Sequence, residues 1–129
     1  MAKSEKFTSF YNPGGFVDAH FFGEQSPQDV VQAINELVRW SKKLTVKKQP
    51  ILILVDVTDV PKIDISGRMA PARQKAVDAM SQAKYDKIAV YGSTAVQIMV
   101  NTLVLIAGKR QQIRVFSSRE DALRWLKGK

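Results

Sequence analysis

The C-terminal third of the chain, residues 87–129, constrains the fold most strongly because it alternates strand and helix signals. A short β-rich run ends at Gly92 and precedes a long apolar segment. A second β-rich run, residues 113–116, precedes an amphipathic helix whose start carries an approximate capping box, Ser118 and Asp121. This alternation is typical of an α/β domain with parallel strands.

The N-terminal part of the chain predicts a hairpin followed by a helix. Aromatic and β-branched runs at residues 7–11 and 16–22 are separated by a turn sequence rich in glycine, which predicts a β-hairpin. Ser26 as the N-cap and a proline at the first helical position predict the start of a helix. Apolar residues at helical spacing follow, and we expect the helix to end near Lys42 and Lys43, where cations suit the C-terminal dipole.

The run of residues 51–57, which is apolar except for Asp56, predicts a central parallel strand that is covered on both faces. Further helices are predicted at residues 72–84, 95–107 and 119–127. The 129 residues suit one domain, and we assign residues 1–129 to it. The predicted fold is therefore α/β, a mixed five-stranded sheet with an N-terminal β-hairpin and about four helices.

Composition excludes some kinds of site. Cysteine is absent, so the chain has no disulfide, no thiolate metal site and no thiol nucleophile. The net charge of +8 attracts anionic partners, but the aromatic residues follow core patterns, so nucleic-acid binding is not favoured. We expect no secretory signal at the N-terminus. Polar residues interrupt the longest apolar stretch, residues 95–107, which is shorter than the roughly 20 residues of a membrane span. We expect a cytoplasmic protein.

Candidate polar ligands follow the central strand, because ligands of open α/β sheets meet the carboxyl ends of the strands. Asp56 and Asp59 stand there, and they suit either Mg²⁺ binding and acid–base roles or, as we favour, the capping of turns and the acceptance of backbone N–H bonds. His20, the single histidine, has no partner motif, and we expect an exposed or half-buried strand residue. No metal ligand set, cofactor motif or catalytic constellation is predicted.

Two further features follow the next strand along the chain. Ser93 and Thr94 precede the third predicted helix. We favour a role in capping this helix over the alternative role of binding an anion. That helix is apolar nearly all round, so part of it either packs within the domain or forms an interface with a protein partner or a second copy. The candidate interface residues are Ile98, Val100, Leu105 and Ile106.

The loop between the central strand and the second helix contains Asp64, Ser66 and Gly67. The chain resembles the SpoIIAA-like branch of the STAS superfamily, the anti-sigma-factor antagonists. The resemblance rests on this loop, the hairpin, the central strand and the C-terminal run of residues 120–126, in which an acidic pair precedes Ala-Leu-Arg-Trp-Leu. The resemblance covers about residues 7–126.

The resemblance implies a non-enzymatic regulatory or protein-interaction module without a cofactor. In antagonists of the superfamily, a partner kinase phosphorylates a serine in an Asp-Ser-Ser-Gly-like motif, and Ser66 would be that acceptor here. Ile65 replaces the usual hydroxyl residue, and Pro71 favours a helix that begins later, which makes Ser66 a loop residue.

Two alternatives remain beside the interaction module. The branch is also compared with the CRAL-TRIO lipid-binding fold, so a carrier of lipid or of a small apolar or anionic ligand is the second hypothesis. A hydrolase or transferase that uses Asp56, Asp59 and Ser66 is the third, and it requires these side chains to converge.

Overall fold

The computed structural model describes residues 6–23, 27–60, 85–92 and 112–128. These residues form a five-stranded sheet and two helices. The elements in chain order are β1 (Phe7–Asn12), β2 (Phe16–Phe22), α1 (Pro27–Val46), β3 (Leu52–Asp59), β4 (Lys87–Gly92), β5 (Ile113–Phe116) and α2 (Arg119–Leu126).

The strand order is β1-β2-β3-β4-β5, so the sheet follows the chain from one edge to the other. β1 and β2 form an antiparallel hairpin, and β2, β3, β4 and β5 run parallel to one another. The prediction of a mixed five-stranded sheet with an N-terminal hairpin is confirmed, and so is the central position of β3. The four parallel strands end on the same side of the sheet, and the polar residues lie near these carboxyl ends.

One face of the sheet packs against α1. Alternate residues of the strands point to this face and are buried, among them Val17, Ile53 and Val90. Ala33, Leu37 and Leu44 of α1 complete this apolar cluster. Because Leu44 continues the buried stripe, α1 extends to Val46, beyond the predicted end near Lys42 and Lys43.

The opposite face packs against α2. The Oγ of Ser118 accepts a hydrogen bond from the backbone N–H of Asp121 at 3.2 Å, which confirms the predicted N-cap. The buried residues of this second cluster come from three strands and from α2: Phe16, Leu54, Ala89, Tyr91, Ala122 and Leu126.

The described residues contain two helices, whereas about four helices were predicted for the whole chain. The other two predicted helices, residues 72–84 and 95–107, lie outside the described residues, as does the predicted cap Ser26. Neither α1 nor α2 has the length and hydropathy that crossing a membrane requires.

Candidate functional site

Three polar side chains lie side by side across the carboxyl half of the sheet, on the face that α2 partly covers. The strand register pairs His20 with Asp56 and Asp56 with Tyr91. The hydroxyl of Tyr91 donates a hydrogen bond to Oδ2 of Asp56 at 3.0 Å, and the same oxygen lies 4.0 Å from Nε2 of His20. Three neighbouring parallel strands therefore place an imidazole, a carboxylate and a phenol side by side in one row.

A shift in the β2–β3 register extends the row at its histidine end. The register slips between His20 and Phe22, so Phe22 pairs with Asp59. The Oδ2 of Asp59 consequently lies 2.8 Å from Nε2 of His20, although 39 residues separate the two in the chain. His20 thus contacts the carboxylate at the end of β3 directly and faces a second carboxylate from Asp56.

An arginine at the start of α2 closes the other end of the row. Nη1 of Arg119 donates to the hydroxyl of Tyr91 at 3.0 Å, and Nη2 donates to Oδ2 of Asp18 at 3.0 Å. Asp18 also accepts a weaker bond from Nδ2 of Asn12 at 3.3 Å. One guanidinium fork therefore ties α2 to β2 and β4, since its two nitrogens reach acceptors on both strands.

We call these six residues the polar cluster: Asp18, His20, Asp56, Asp59, Tyr91 and Arg119. Their side chains differ in exposure, from 13% for Asp18 to 62% for Asp59. The buried end of the cluster is held by Arg119, and the end at Asp59 is open to solvent. Apart from His20, the three carboxylates and one guanidinium of the cluster carry two net negative charges, which contrasts with the +8 charge of the whole chain.

Gly92 holds β4 close enough to β3 for this arrangement. Its φ is +147°, and a Cβ at this position would lie 2.6 Å from the carbonyl carbon of Val57 and 2.7 Å from the backbone nitrogen of Thr58. Only glycine fits so near a neighbouring backbone without a shift of one of the strands. The glycine that ends the predicted strand therefore also sets the distance between Tyr91 and Asp56.

Hydrogen bonds keep the Asp56 carboxylate ionised. Burial disfavours its charged form, but bonds from the side chain and backbone of Thr58 and from the hydroxyl of Tyr91 outweigh burial, so the pKa of Asp56 lies below the ordinary value of 3.8. The backbone N–H of Thr58 donates to Oδ1 at 2.8 Å. Asp56 thus accepts a backbone N–H bond, as we favoured, but both residues lie within β3 and not in a turn.

The phenol and the guanidinium of the cluster are held in their protonated forms. Burial raises the pKa of Tyr91, and the neighbouring Asp56 carboxylate adds to this effect, while Arg119 opposes it. The hydrogen bond to Asp18 raises the pKa of Arg119, and the bond to Tyr91 contributes in the same direction. At neutral pH, Tyr91 is therefore a hydrogen-bond donor and Arg119 a fixed cation, and neither is placed to act as a nucleophile or a base.

The structure brings together only some of the residues that the sequence singled out. Asp56 and Asp59 both approach His20 at the edge where they were expected. The other candidates of the two loops and of the interface helix lie outside the described residues: Asp64, Ser66, Gly67, Ser93, Thr94, Ile98, Val100, Leu105 and Ile106. No group of three or more His, Asp or Glu side chains in the described segments is arranged to hold a metal ion.

Sequence reasoning missed Asp18, Tyr91 and Arg119, and it set His20 aside because no partner motif accompanies it. One available signal was the alternation in β2, which places Asp18 and His20 on the same face. A second was the end-to-end alignment of parallel strands, which puts the last residues of β2, β3 and β4 in one row.

The chain is similar to known proteins in sequence and in fold. The SpoIIAA-like family model matches residues 16–127. An uncharacterised protein from Shewanella loihica with a SpoIIAA-like fold superimposes with a TM-score of 0.62 at 17% sequence identity, covering 98% of both chains. The anti-sigma factor antagonist SpoIIAA in its unphosphorylated form superimposes with a TM-score of 0.50 at 13% identity, covering 95% of this chain and 99% of the other. No curated protein matches the chain.

Proposed function

The chain belongs to the SpoIIAA-like family, and from this premise we propose that it is a non-enzymatic regulatory module that binds a protein partner in the manner of an anti-sigma-factor antagonist. The observation that carries the proposal is the family match over residues 16–127. The likeness to unphosphorylated SpoIIAA supports the fold on which such a module is built. The proposed location is the cytoplasm.

The chemistry of the polar cluster supports binding rather than catalysis. Its donors and acceptors hold one another: Arg119 bonds to Asp18 and Tyr91, and Tyr91 bonds to Asp56. The pKa of Asp56 is lowered and that of Tyr91 is raised, so both move away from the neutral range in which acid–base catalysts work. A fixed, negatively charged array at the carboxyl edge of the sheet suits the recognition of a partner surface.

Regulation by phosphorylation is the second part of this proposal. Ser66 lies in the segment that follows β3 in the chain, within the run Asp64 to Gly67 that resembles the phosphorylated motif of the antagonists. A phosphate would add about two negative charges at neutral pH to a chain segment that begins directly after the carboxylate of Asp59. Added charge of this size changes which partner surface is accepted.

Native mass spectrometry of the chain, purified from its own cells with and without phosphatase treatment, tests this function. We expect a fraction that carries one phosphate on Ser66 and a complex with one protein partner whose abundance depends on that phosphate. The Ser66→Ala variant should lose the phosphate and bind the partner constantly, and Ser66→Asp should mimic the modified form in part.

The control variant is Ser117→Ala, which removes an exposed serine from the loop after β5. It should leave both the phosphate and the complex unchanged. A chain that carries no phosphate and captures no partner under any condition contradicts the regulatory role, and phosphate on another serine contradicts the assignment to Ser66.

The groove between β1 and α1 is too small to support the carrier hypothesis by itself. The groove between β1 and α1 has a volume of about 200 Å³, whereas sites for drug-sized ligands usually exceed about 300 Å³. A lipid retained in the native mass spectrum would favour the carrier instead. Dimerisation through the third predicted helix and the extent of the single domain, residues 1–129, stay predictions.

A further inference from the structure

We propose that the groove between β1 and α1 binds an extended, acidic segment of a partner protein, which adds to the sheet as a sixth strand. This groove, termed the edge groove, is lined by residues 7–9 of β1 and by Glu36, Arg39, Trp40 and Lys43 of α1. It lies on the side of the sheet away from the polar cluster. The proposal goes beyond the regulatory function and does not depend on Ser66.

The backbone of β1 offers hydrogen-bonding groups along this edge. Within the described residues β1 pairs with β2 alone. The N–H of Phe22 donates to the carbonyl of Lys6 at 3.1 Å, which makes these two a hydrogen-bonded pair of the antiparallel ladder. Because such pairs alternate along the strand, Phe7, Ser9 and Tyr11 direct their N–H and C=O groups away from β2. An outward row of this kind is a template for strand addition.

The wall of the edge groove is fixed before any ligand arrives. The indole Nε1 of Trp40 donates to Oγ of Ser9 at 2.9 Å, and that hydroxyl donates to Oε2 of Glu36 at 2.8 Å. Tyr11 stacks on Trp40 with ring centroids 6.3 Å apart. These contacts join α1 to β1 across the groove, so a bound peptide would not have to order this wall, and the entropic cost of binding is reduced.

Charge selects an acidic occupant. Arg39 and Lys43 line the groove, and neither forms an ion pair with a carboxylate of the described residues. Lys43 instead places its ammonium 5.0 Å from the centroid of Trp40. The one carboxylate of the groove, Glu36, already accepts the hydroxyl of Ser9. An Asp or Glu on the added strand would therefore meet two cations that no carboxylate of the described residues pairs with.

The positive charges of Arg39 and Lys43 disfavour the binding of a second copy of this chain in the groove. Antiparallel pairing of two β1 strands would place both α1 helices on the same face of a continuous sheet. Arg39 and Lys43 of one copy would then face their counterparts, and like charges placed opposite one another are unfavourable. The observations thus favour a partner with carboxylates over self-association.

Selection from a display library of random linear peptides on the immobilised full chain tests the proposal. We expect enriched peptides to carry Asp or Glu next to β-branched residues. Affinity for a synthetic copy of one such peptide is then measured by the fluorescence of Trp40 in a Trp125→Phe background, since the chain has two tryptophans. Circular dichroism verifies that each variant is folded.

Two matched pairs of variants separate charge from strand addition. The double variant Arg39→Glu, Lys43→Glu should weaken binding at least about tenfold, whereas Lys42→Glu, an exposed lysine of α1 outside the groove, should change it less than about twofold. Ser9→Pro removes the outward N–H as well as the hydroxyl, and Ser9→Ala removes the hydroxyl alone. The proline variant should bind about fivefold more weakly than the alanine variant.

Several results would overturn the proposal. Enriched peptides without acidic residues would contradict the role of charge. If Lys42→Glu weakened binding as much as the double variant, the peptide would be attracted by the basic chain in general and not by the groove. Equal binding by Ser9→Pro and Ser9→Ala would exclude strand addition. A concentration-dependent dimer that Ser9→Pro abolishes would assign the edge to a second copy of the chain.

Discussion

The two faces of the sheet are built from the same strands but differ in chemistry. On the face toward α1, most alternate strand residues are apolar, and the polar Ser9 lies on the edge strand β1. On the face toward α2, Phe16, Leu54 and Ala89 pack beneath the helix, and farther along the same strands Asp18 and Asp56 take their place. A parallel strand buried on both faces usually has apolar residues at every position, so the polar half of the second face is the exception.

The lengths of the two described helices account for part of this difference. α1 has 20 residues and α2 has eight, which at 1.5 Å per residue correspond to about 30 Å and about 12 Å. α2 packs on β3, β4 and β5, and its first residue, Arg119, contacts the polar cluster instead of an apolar surface. The contrast indicates that one face mainly stabilises the fold, whereas the other also presents charge at the edge where ligands of such sheets bind.

The largest expected effect is on the apolar face. Ile53 is 1% exposed, and the Ile53→Ala variant should lose about 2–5 kcal/mol of unfolding free energy because it leaves a cavity under α1. Ile53→Val is the matched control, with an expected loss of about 0.5–1.5 kcal/mol. Urea unfolding measures both, and similar losses for the two variants would show that this face is not closely packed.

Gly92→Ala tests the contact that positions the polar face. The added Cβ would meet the backbone of Val57 and Thr58 at 2.6 and 2.7 Å, so we expect a loss of about 2–3 kcal/mol or more. The variant should also separate Tyr91 from Asp56.

Gly15→Ala is the control, because Gly15 also has positive φ but its Cβ would meet nothing within 4 Å. It should lose about 1 kcal/mol from backbone strain alone. Equal losses in the two variants, measured by thermal unfolding, would mean that the close approach of β3 and β4 does not matter for stability.

The described strands and helices were largely predictable from the sequence, because their signals are local. Alternation identified β2, and the capping residues identified α2 with an N-terminus that the structure confirms. The end of α1 was placed too early, since Lys42 and Lys43 suited a C-terminus while the burial of Leu44 continues the helix. Local charge preferences are weaker than the packing of one more apolar residue.

The polar cluster was only partly predictable, because its contacts are distant in sequence. Asp18 and Arg119 are 101 residues apart, and no local motif joins them. His20 was interpreted as an exposed or half-buried strand residue, and its side chain is 38% exposed. Its contact with Asp59 depends on a register shift that sequence patterns do not reveal. The backbone N–H bond that Asp56 accepts was predictable because its donor, Thr58, is only two residues away, although the bond lies within β3 and not in a turn.

Arg119→Lys tests whether the guanidinium fork links α2 to the polar face. A lysine has one ammonium and cannot reproduce two diverging bonds to Asp18 and Tyr91, so we expect a loss of about 1–2 kcal/mol. Arg124→Lys changes an exposed arginine on the same helix that pairs with Glu120, and it should lose less than about 0.5 kcal/mol. Chemical unfolding at low and high salt distinguishes the two, and equal losses would exclude a special role for Arg119.

The smallest effect, and the most specific to the polar face, is expected for Tyr91→Phe. Removal of the hydroxyl leaves Asp56 with one donor fewer, so the variant should lose about 1 kcal/mol at neutral pH, and the pKa of Asp56 should move back toward its ordinary value. Because the folded-state pKa of Asp56 is lowered, its contribution to stability is present above the unfolded value of 3.8 and is lost as the pH falls through the folded value. The difference between wild type and variant in urea unfolding should therefore shrink from about pH 7 to about pH 3. A difference that stays constant over this range would show that the hydroxyl acts through Arg119 alone and that the Asp56 carboxylate gains nothing from its place in the row.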